Sequence, residues 1–171
     1  MPEEPKAEET AKTIGTKEMA DMASLYHVPM SEGTIKGIAG EGEVPPEKAK
    51  AFEEYLKTAA QGLYPSLAPQ IAAGIPTGHL LDPYRQVAKQ MLGENFEPDF
   101  INDHKSAAAL NASTDPKTGR PTPMTLDQWK QHIMSEPKFG WGYTKEAHDR
   151  VNTILENLKA GLEAPVQRSA Q

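Results

Sequence analysis

The sequence contains no cysteine. This absence excludes disulfide bonds, cysteine-ligated zinc sites and thiol nucleophiles. No apolar run approaches the roughly 20 residues that a helix needs to cross a bilayer. Residues 1–15 also lack the basic and apolar stretches of a signal peptide. We therefore expect a soluble chain without a membrane-spanning segment.

Positive charge and aromatic side chains are also scarce. Lysine and arginine number 18 against 24 acidic residues, which gives a net charge of −6. No basic stripe is present, so we expect no direct contact with nucleic acid and none with an anionic membrane surface. Aromatic residues make up 6% of the chain and hydrophobic residues 37%. These proportions predict an aliphatic, alanine-rich core.

Helical patterns fill the chain between two polar ends. A chain of 171 residues suits one domain. Residues 1–15 are acidic and nearly free of apolar side chains, so we predict a disordered acidic tail. Residues 163–171 are predicted to form a second disordered tail. A single helical domain is expected over 16–162.

Prolines and glycines divide this domain into short helices, and almost no segment favours a strand. We predict an all-α fold: a compact bundle of six to seven short helices with flexible termini. Residues 112–124 are rich in turn formers and include Asp-Pro-Lys-Thr-Gly from Asp115, so a small hairpin is possible there. The predicted helix caps are Thr16, Ser31, Thr125 with a capping box to Gln128, and Thr144. Pro83 is placed near the first turn of a helix that Thr77 opens.

The longest predicted helix follows Thr144. Its apolar residues recur at helical spacing and form a wide stripe, which we expect the single core to cover. The stripe consists of Ala147, Val151, Ile154, Leu155, Leu158 and Leu162.

The search for a reactive site predicts no catalytic, cofactor-binding or metal-binding residue, and no cofactor. The histidines do not form H-E-x-x-H or a pair four residues apart on one helix; they are His27, His79, His104, His132 and His148. Phosphate-binding and nucleophile-elbow motifs are missing as well. One carboxylate, Glu136, is close in sequence to Trp129 and Trp141, where an apolar wall could make it a general acid. Such neighbours more often arise by chance in helical proteins.

An aromatic loop, S-E-P-K-F-G-W-G-Y-T-K-E, begins at Ser135. If it is extended, Phe139, Trp141 and Tyr143 project to one side. Rings of this kind either hold a helix end against a core or form an exposed interface. The interface or corner candidates are Phe139, Trp141, Tyr143, Tyr64 and Tyr84. If Trp141 holds the helix end against the core and its ring is buried, Trp141→Ala should lower the free energy of unfolding by about 3 kcal/mol.

Four phrases occur in a fixed order along the chain. They are L-Y-P-S-L-A-P at Leu63, L-D-P-Y-R-Q-V-A at Leu81, D-P-K-T-G-R-P-T-P-M-T-L-D-Q-W at Asp115 and E-P-K-F-G-W-G-Y-T at Glu136. Together they resemble a helical module of actinobacteriophage tail proteins, found near the C-terminus of tape-measure proteins and in minor tail proteins. The resemblance covers about residues 20–160.

The resemblance implies a non-enzymatic structural protein of a tailed-phage virion, near the tail or the portal axis. Its partners would be other virion proteins (tail tip, tail tube or portal) in a symmetric assembly. With 171 residues the chain is far shorter than a tape measure, which implies a stand-alone copy of the module or a processed piece. Two other hypotheses remain open: a virion-associated cell-wall hydrolase with Glu136 as general acid, and a bacterial helical adaptor.

Overall fold

The computed structural model describes residues 15–40 and 42–163, and this part of the chain is all-α, as predicted. It contains eight α-helices, where six to seven were expected. The helices are α1 (Thr16–Leu25), α2 (Glu32–Ala39), α3 (Pro46–Leu63), α4 (Ala68–Ala72), α5 (Thr77–Leu92), α6 (His104–Ala107), α7 (Leu126–Ser135) and α8 (Lys145–Glu163). The predicted tails lie outside the described residues except for Gly15 and Glu163, the last residue of α8. None of the helices in residues 15–40 and 42–163 has the length and apolar character to cross a membrane.

Three of the four predicted caps, Ser31, Thr125 and Thr144, are confirmed. The Ser31 hydroxyl accepts the Thr34 backbone N–H at 3.1 Å and begins α2. At α1, however, the predicted cap is wrong. Gly15 is the capping residue, and its N–H donates to the Glu18 carboxylate at 2.9 Å. Thr16 is already the first helical residue, because the Glu18 side chain can satisfy a backbone donor without a capping hydroxyl.

Pro83 lies inside α5 and not in its first turn. A proline there removes one backbone hydrogen bond and crowds the preceding turn. The helix nevertheless continues to Leu92, since its buried face extends on both sides of the proline. Leu81 is fully buried before it, and Ala88 is fully buried after it.

The described residues group into two compact units. The first contains residues 15–40, 42–82 and 110–123, and the second contains residues 83–109 and 124–163. The single domain over 16–162 stays a prediction.

The first unit has its core under α1, α3 and α4. Met19, Leu56 and Ile71 are fully buried there. The predicted hairpin is present in the same unit: β1 (Ser113–Thr114) pairs antiparallel with β2 (Pro121–Thr122). Its turn is closed by the Asp115 carboxylate, which accepts the Lys117 N–H at 2.8 Å, and by Gly119 with a φ of +68°.

The second unit is built around Trp129, which has no exposed surface. Its indole N–H donates to the Tyr84 carbonyl at 3.0 Å. Rings from three other segments pack on or near this side chain, and together they form an aromatic cluster. The aromatic cluster consists of Tyr84, Phe96, Phe100, Trp129, His132 and Phe139.

Candidate interaction surface

The apolar side of α8 is exposed along most of its length. Of the six residues predicted to face the core, only Ala147 is buried. The remaining five, here called the α8 stripe, expose more than half of their surface: Val151 54%, Ile154 58%, Leu155 56%, Leu158 60% and Leu162 87%. The expectation that a core covers this side of the helix is therefore wrong beyond Ala147.

The local packing explains why the stripe is uncovered. Helix α8 contacts the Trp141–Tyr143 turn through its N-terminal end, where Ala147 fits against the unit. At 1.5 Å per residue, the segment from Val151 to Leu162 extends about 17 Å further. An amphipathic pattern shows which side of a helix is apolar, but not which surface will cover it.

The α8 stripe is large enough to matter energetically. Side chains of this size that are more than half exposed present roughly 500 Å² of apolar surface together, within the range of the largest patches on typical monomers. A patch of this size, rather than a single exposed leucine, is the usual mark of an interaction site. The stripe is therefore the strongest candidate surface in the described part of the chain.

A groove of about 960 Å³ lies beside the stripe. The end of α5 contributes Met91 and Leu92 to it, and the aromatic loop contributes Phe139 and Tyr143. Ile154 belongs both to this groove and to the α8 stripe. Apolar surface thus continues from the helix onto the groove.

Charged groups line the α8 side of the groove. Lys145 pairs with Asp149, and this hydrogen-bonded ion pair raises the pKa of the Lys145 ammonium. Arg150 also lines the groove and donates to the Met134 sulfur at 3.4 Å. Both signs of charge are present, so the rim favours a polar or mixed-charge partner over a strongly acidic or basic one.

The aromatic loop is not extended. It forms two short 3₁₀ turns, Pro137–Phe139 and Trp141–Tyr143, separated by Gly140 with a φ of +71°. The rings therefore do not share one side. Phe139 packs into the aromatic cluster, whereas Tyr143 is 88% exposed at the groove.

Trp141 is intermediate between these two. Its side chain is half-buried, and its indole N–H has no hydrogen-bond partner among the described residues. Its carbonyl accepts the Thr144 hydroxyl at 2.7 Å, and that hydroxyl in turn accepts the Ala147 N–H at 3.2 Å. Thr144 thus caps α8 as predicted. The predicted loss of about 3 kcal/mol on Trp141→Ala assumed a buried ring. Because the ring is half-buried, we expect this substitution to lower the free energy of unfolding by less.

Tyr64 is buried and Tyr84 is half-buried, and neither lines the groove. Tyr64 is 3% exposed, and its hydroxyl donates to the His27 carbonyl at 3.2 Å. The Tyr84 hydroxyl donates to the Met124 carbonyl at 2.6 Å, and burial raises the pKa of this phenol. Both side chains connect distant segments within their own unit.

Glu136, the candidate general acid, has a local structural role. It precedes the Pro137–Phe139 turn, and its carboxylate accepts the Lys138 N–H at 3.4 Å. It does not line the groove beside α8. Within residues 15–40 and 42–163, no three His, Asp or Glu side chains come together as possible metal ligands.

Comparison of the chain with protein-family models, with curated proteins and with solved structures finds no match. The surface of the second unit and the ordered phrases in the sequence are the features of the chain that bear on its function.

Sequence reasoning identified the residues of this surface but misplaced their role. The period of the α8 stripe was visible, and so was the cap at Thr144. Met91 and Leu92 lie at helical spacing on α5, and nothing in that spacing indicated that they border a groove. The sequence does not show how much of the length of α8 packs on the rest of its unit.

Proposed function

We propose that this chain is a non-enzymatic structural protein of a tailed-phage virion, placed near the tail or the portal axis. It acts through contacts with other virion proteins: the tail tip, the tail tube or the portal. The observation that carries the proposal is the α8 stripe, which leaves five large apolar side chains exposed in a row. The resemblance of the four ordered phrases to a phage tail module is the reason for proposing that the particle is a tailed-phage virion.

Exposed apolar surface of this extent supports a role in assembly. In water each exposed side chain of the stripe forgoes about 1.5 kcal/mol or more of burial free energy. A protein that becomes built into a particle recovers this free energy when another virion protein or a second copy of the chain covers the surface. The mixed charges of Lys145, Asp149 and Arg150 would form the polar rim of such an interface.

Mass spectrometry of purified virions tests the proposal. The phage that encodes this chain is grown, the particles are banded by density, and the chain is counted against the major capsid protein. We expect a small, fixed number of copies, as for a component of the tail tip or portal axis. Absence of the chain from the particle would overturn the proposal. Hundreds of copies would indicate a location in the capsid or the tail tube instead.

A matched pair of variants tests whether the α8 stripe is needed for incorporation of the chain into the virion. Leu155→Asp places a charge in the stripe, and Ala160→Asp places the same charge on the opposite side of α8, where Ala160 is exposed. We expect Leu155→Asp virions to lack the chain and Ala160→Asp virions to retain it. Equal incorporation of both variants would mean that another surface makes the contacts.

The hydrolase hypothesis is tested separately. Purified chain is incubated with peptidoglycan next to its Glu136→Gln variant. Cleavage by the unaltered chain that disappears in the variant would replace the structural proposal by an enzymatic one. The adaptor hypothesis would gain support if the gene stands apart from portal, capsid and tail genes.

A further inference from the structure

The apolar positions of α8, which are Ala147 and the five residues of the α8 stripe, are symmetrically spaced. Ala147 and Leu162 are equally far from the point between Ile154 and Leu155, and so are Val151 and Leu158. On an ideal helix these six positions all lie within about 50° of one line along the surface. Reversing the direction of the helix therefore places apolar residues on apolar residues.

We propose that α8 pairs with α8 of a second copy of this chain, side by side and antiparallel, with the two midpoints aligned. Such a contact is self-complementary, as a twofold interface must be. Val151 meets Leu158 of the second copy, and Ile154 meets Leu155. Leu162 extends beyond these four residues to the level of Ala147, which is buried against its own unit and so makes no contact in the pair.

The polar residues beside the stripe fit this arrangement. Arg150 and Lys159 share the same symmetry, so an antiparallel pair brings them to the same level. On the helical projection, however, they lie about 90° to either side of the stripe and hence on opposite flanks of the pair. Each then has an amide side chain as its neighbour: Asn157 of the second copy beside Arg150, and Asn152 beside Lys159. Arg150 and Lys159 therefore do not face each other across the seam.

The size of the surface sets the strength of the pair. The exposed overlap from Val151 to Leu158 is about 12 Å long, and Leu162 lies beyond it at each end of the pair. Roughly 500 Å² of apolar surface on each copy gives about 1,000 Å² for the pair, which is near the lower limit for a specific interface. We therefore expect a reversible dimer with a Kd on the order of 10 μM rather than a permanent one.

The groove favours the antiparallel direction over the parallel one. Its walls and the exposed Tyr143 are at the N-terminal end of α8. A parallel pair would bring both grooves and both Tyr143 rings to one end, and would leave each Leu162 against its own equivalent at the other. The antiparallel pair places the C-terminal half of each helix beside the groove of the other copy, where Ile154 continues the apolar surface.

Sedimentation velocity of the purified full chain, from about 1 to 200 μM, tests whether the pair forms. We expect a shift from monomer to dimer across this range. Leu155→Asp should weaken the dimer at least about tenfold, because an aspartate would be buried at the centre of the seam. Ala160→Asp should leave the dimer unchanged. Helical circular dichroism and the melting temperature verify that both variants are folded.

Cross-linking tests the direction, because the chain has no cysteine of its own. Val151→Cys and Leu158→Cys chains are mixed and treated with a short bis-maleimide. An antiparallel pair predicts that the mixed product exceeds the sum of the two homodimeric products, whereas random mixing without a preferred direction gives a mixed product only equal to that sum. A predominance of Val151–Val151 and Leu158–Leu158 products would overturn the proposal in favour of a parallel pair.

A chain that remains monomeric at the highest concentration would also overturn it, and the stripe would then bind a different protein. These measurements use the isolated chain and need no virion. Failure here would therefore leave the proposed virion role intact, and a dimer would stand even if the chain were missing from the particle.

Discussion

The ring of Phe139 stands perpendicular to the ring of Trp129, with centroids 5.7 Å apart and planes at 89°. This edge-to-face contact joins the aromatic loop to the centre of the second unit, and it is a favoured geometry for two aromatic rings. Phe139 makes this ring contact, whereas Trp141, the ring for which the sequence predicted the largest loss, is half-buried. The two tryptophans should therefore differ in their effect on stability.

Replacing each tryptophan by phenylalanine should separate their contributions. Trp129→Phe removes the donor to the Tyr84 carbonyl and leaves space in a fully buried site, so we expect a loss of about 2–3 kcal/mol. Trp141→Phe removes an indole N–H without a partner in the described residues, so we expect a loss of less than about 1 kcal/mol. Urea unfolding of both variants measures the difference. Equal losses would contradict the assignment of Trp129 as the central ring.

The start of α7 provides a second test. The Thr125 hydroxyl accepts the Gln128 N–H at 3.2 Å, and the Gln128 side chain accepts the Thr125 N–H at 2.9 Å. Thr125→Ala should lower the free energy of unfolding by about 1 kcal/mol, because a backbone donor loses its partner. The control is Thr58→Ala within α3, where the hydroxyl only bonds back to the Glu54 carbonyl at 2.9 Å. There we expect no loss, or a gain of up to about 0.5 kcal/mol.

Two glycines should respond to alanine with opposite signs. A Cβ on Gly78 would lie 2.8 Å from the Leu25 carbonyl oxygen, a backbone atom that cannot move without disturbing the end of α1. Gly78→Ala should therefore destabilise the chain by about 1–3 kcal/mol. A Cβ on Gly37 would meet no atom within 4 Å, so Gly37→Ala within α2 should stabilise by about 0.5–1 kcal/mol. Thermal melts of the two variants are enough to see the signs, and a stabilising Gly78→Ala would contradict the close approach.

The Glu97 carboxylate should contribute stability that depends on pH. Hydrogen bonds from Lys89 and from Arg85, the latter at 3.0 Å, lower its pKa below the ordinary value of 4.5. The contribution is therefore fully present above pH 4.5 and is lost as the pH falls through the lowered pKa of the folded state. Because the group is largely exposed and screened, we expect only about 0.5 kcal/mol.

Denaturation curves of the unaltered chain and of Glu97→Gln, recorded between about pH 3 and pH 7, give this contribution. The variant should be less stable near neutral pH and converge with the unaltered chain in acid. Glu94→Gln, an exposed carboxylate nearby in the chain, is the control for loss of one charge. A difference that persists unchanged at low pH would exclude the ion pair as its cause.

Local signals were the predictable part of this fold. The caps at Ser31, Thr125 and Thr144 depend on side chains a few residues apart, and the hairpin depends on the turn chemistry that follows Asp115. Such features are encoded in short stretches, so the sequence alone was sufficient for them.

Features that depend on distant neighbours were not predictable. The period of α8 shows an apolar side but cannot show that the unit ends before the helix does. In the same way, the spacing of Phe139, Trp141 and Tyr143 did not indicate that Gly140 would turn the loop, so that Phe139 packs into the aromatic cluster and Tyr143 is exposed. Both outcomes are decided by packing between segments far apart in sequence.

The positions of the two tryptophans allow their fluorescence to report on the unfolding of one unit. Trp129 and Trp141 are the only tryptophans, and both belong to the second unit. Tryptophan emission during denaturation will therefore follow the second unit alone, while the helical dichroism follows both. Coincident curves would mean that residues 16–162 unfold as one cooperative domain, and separated curves would give each unit a stability of its own.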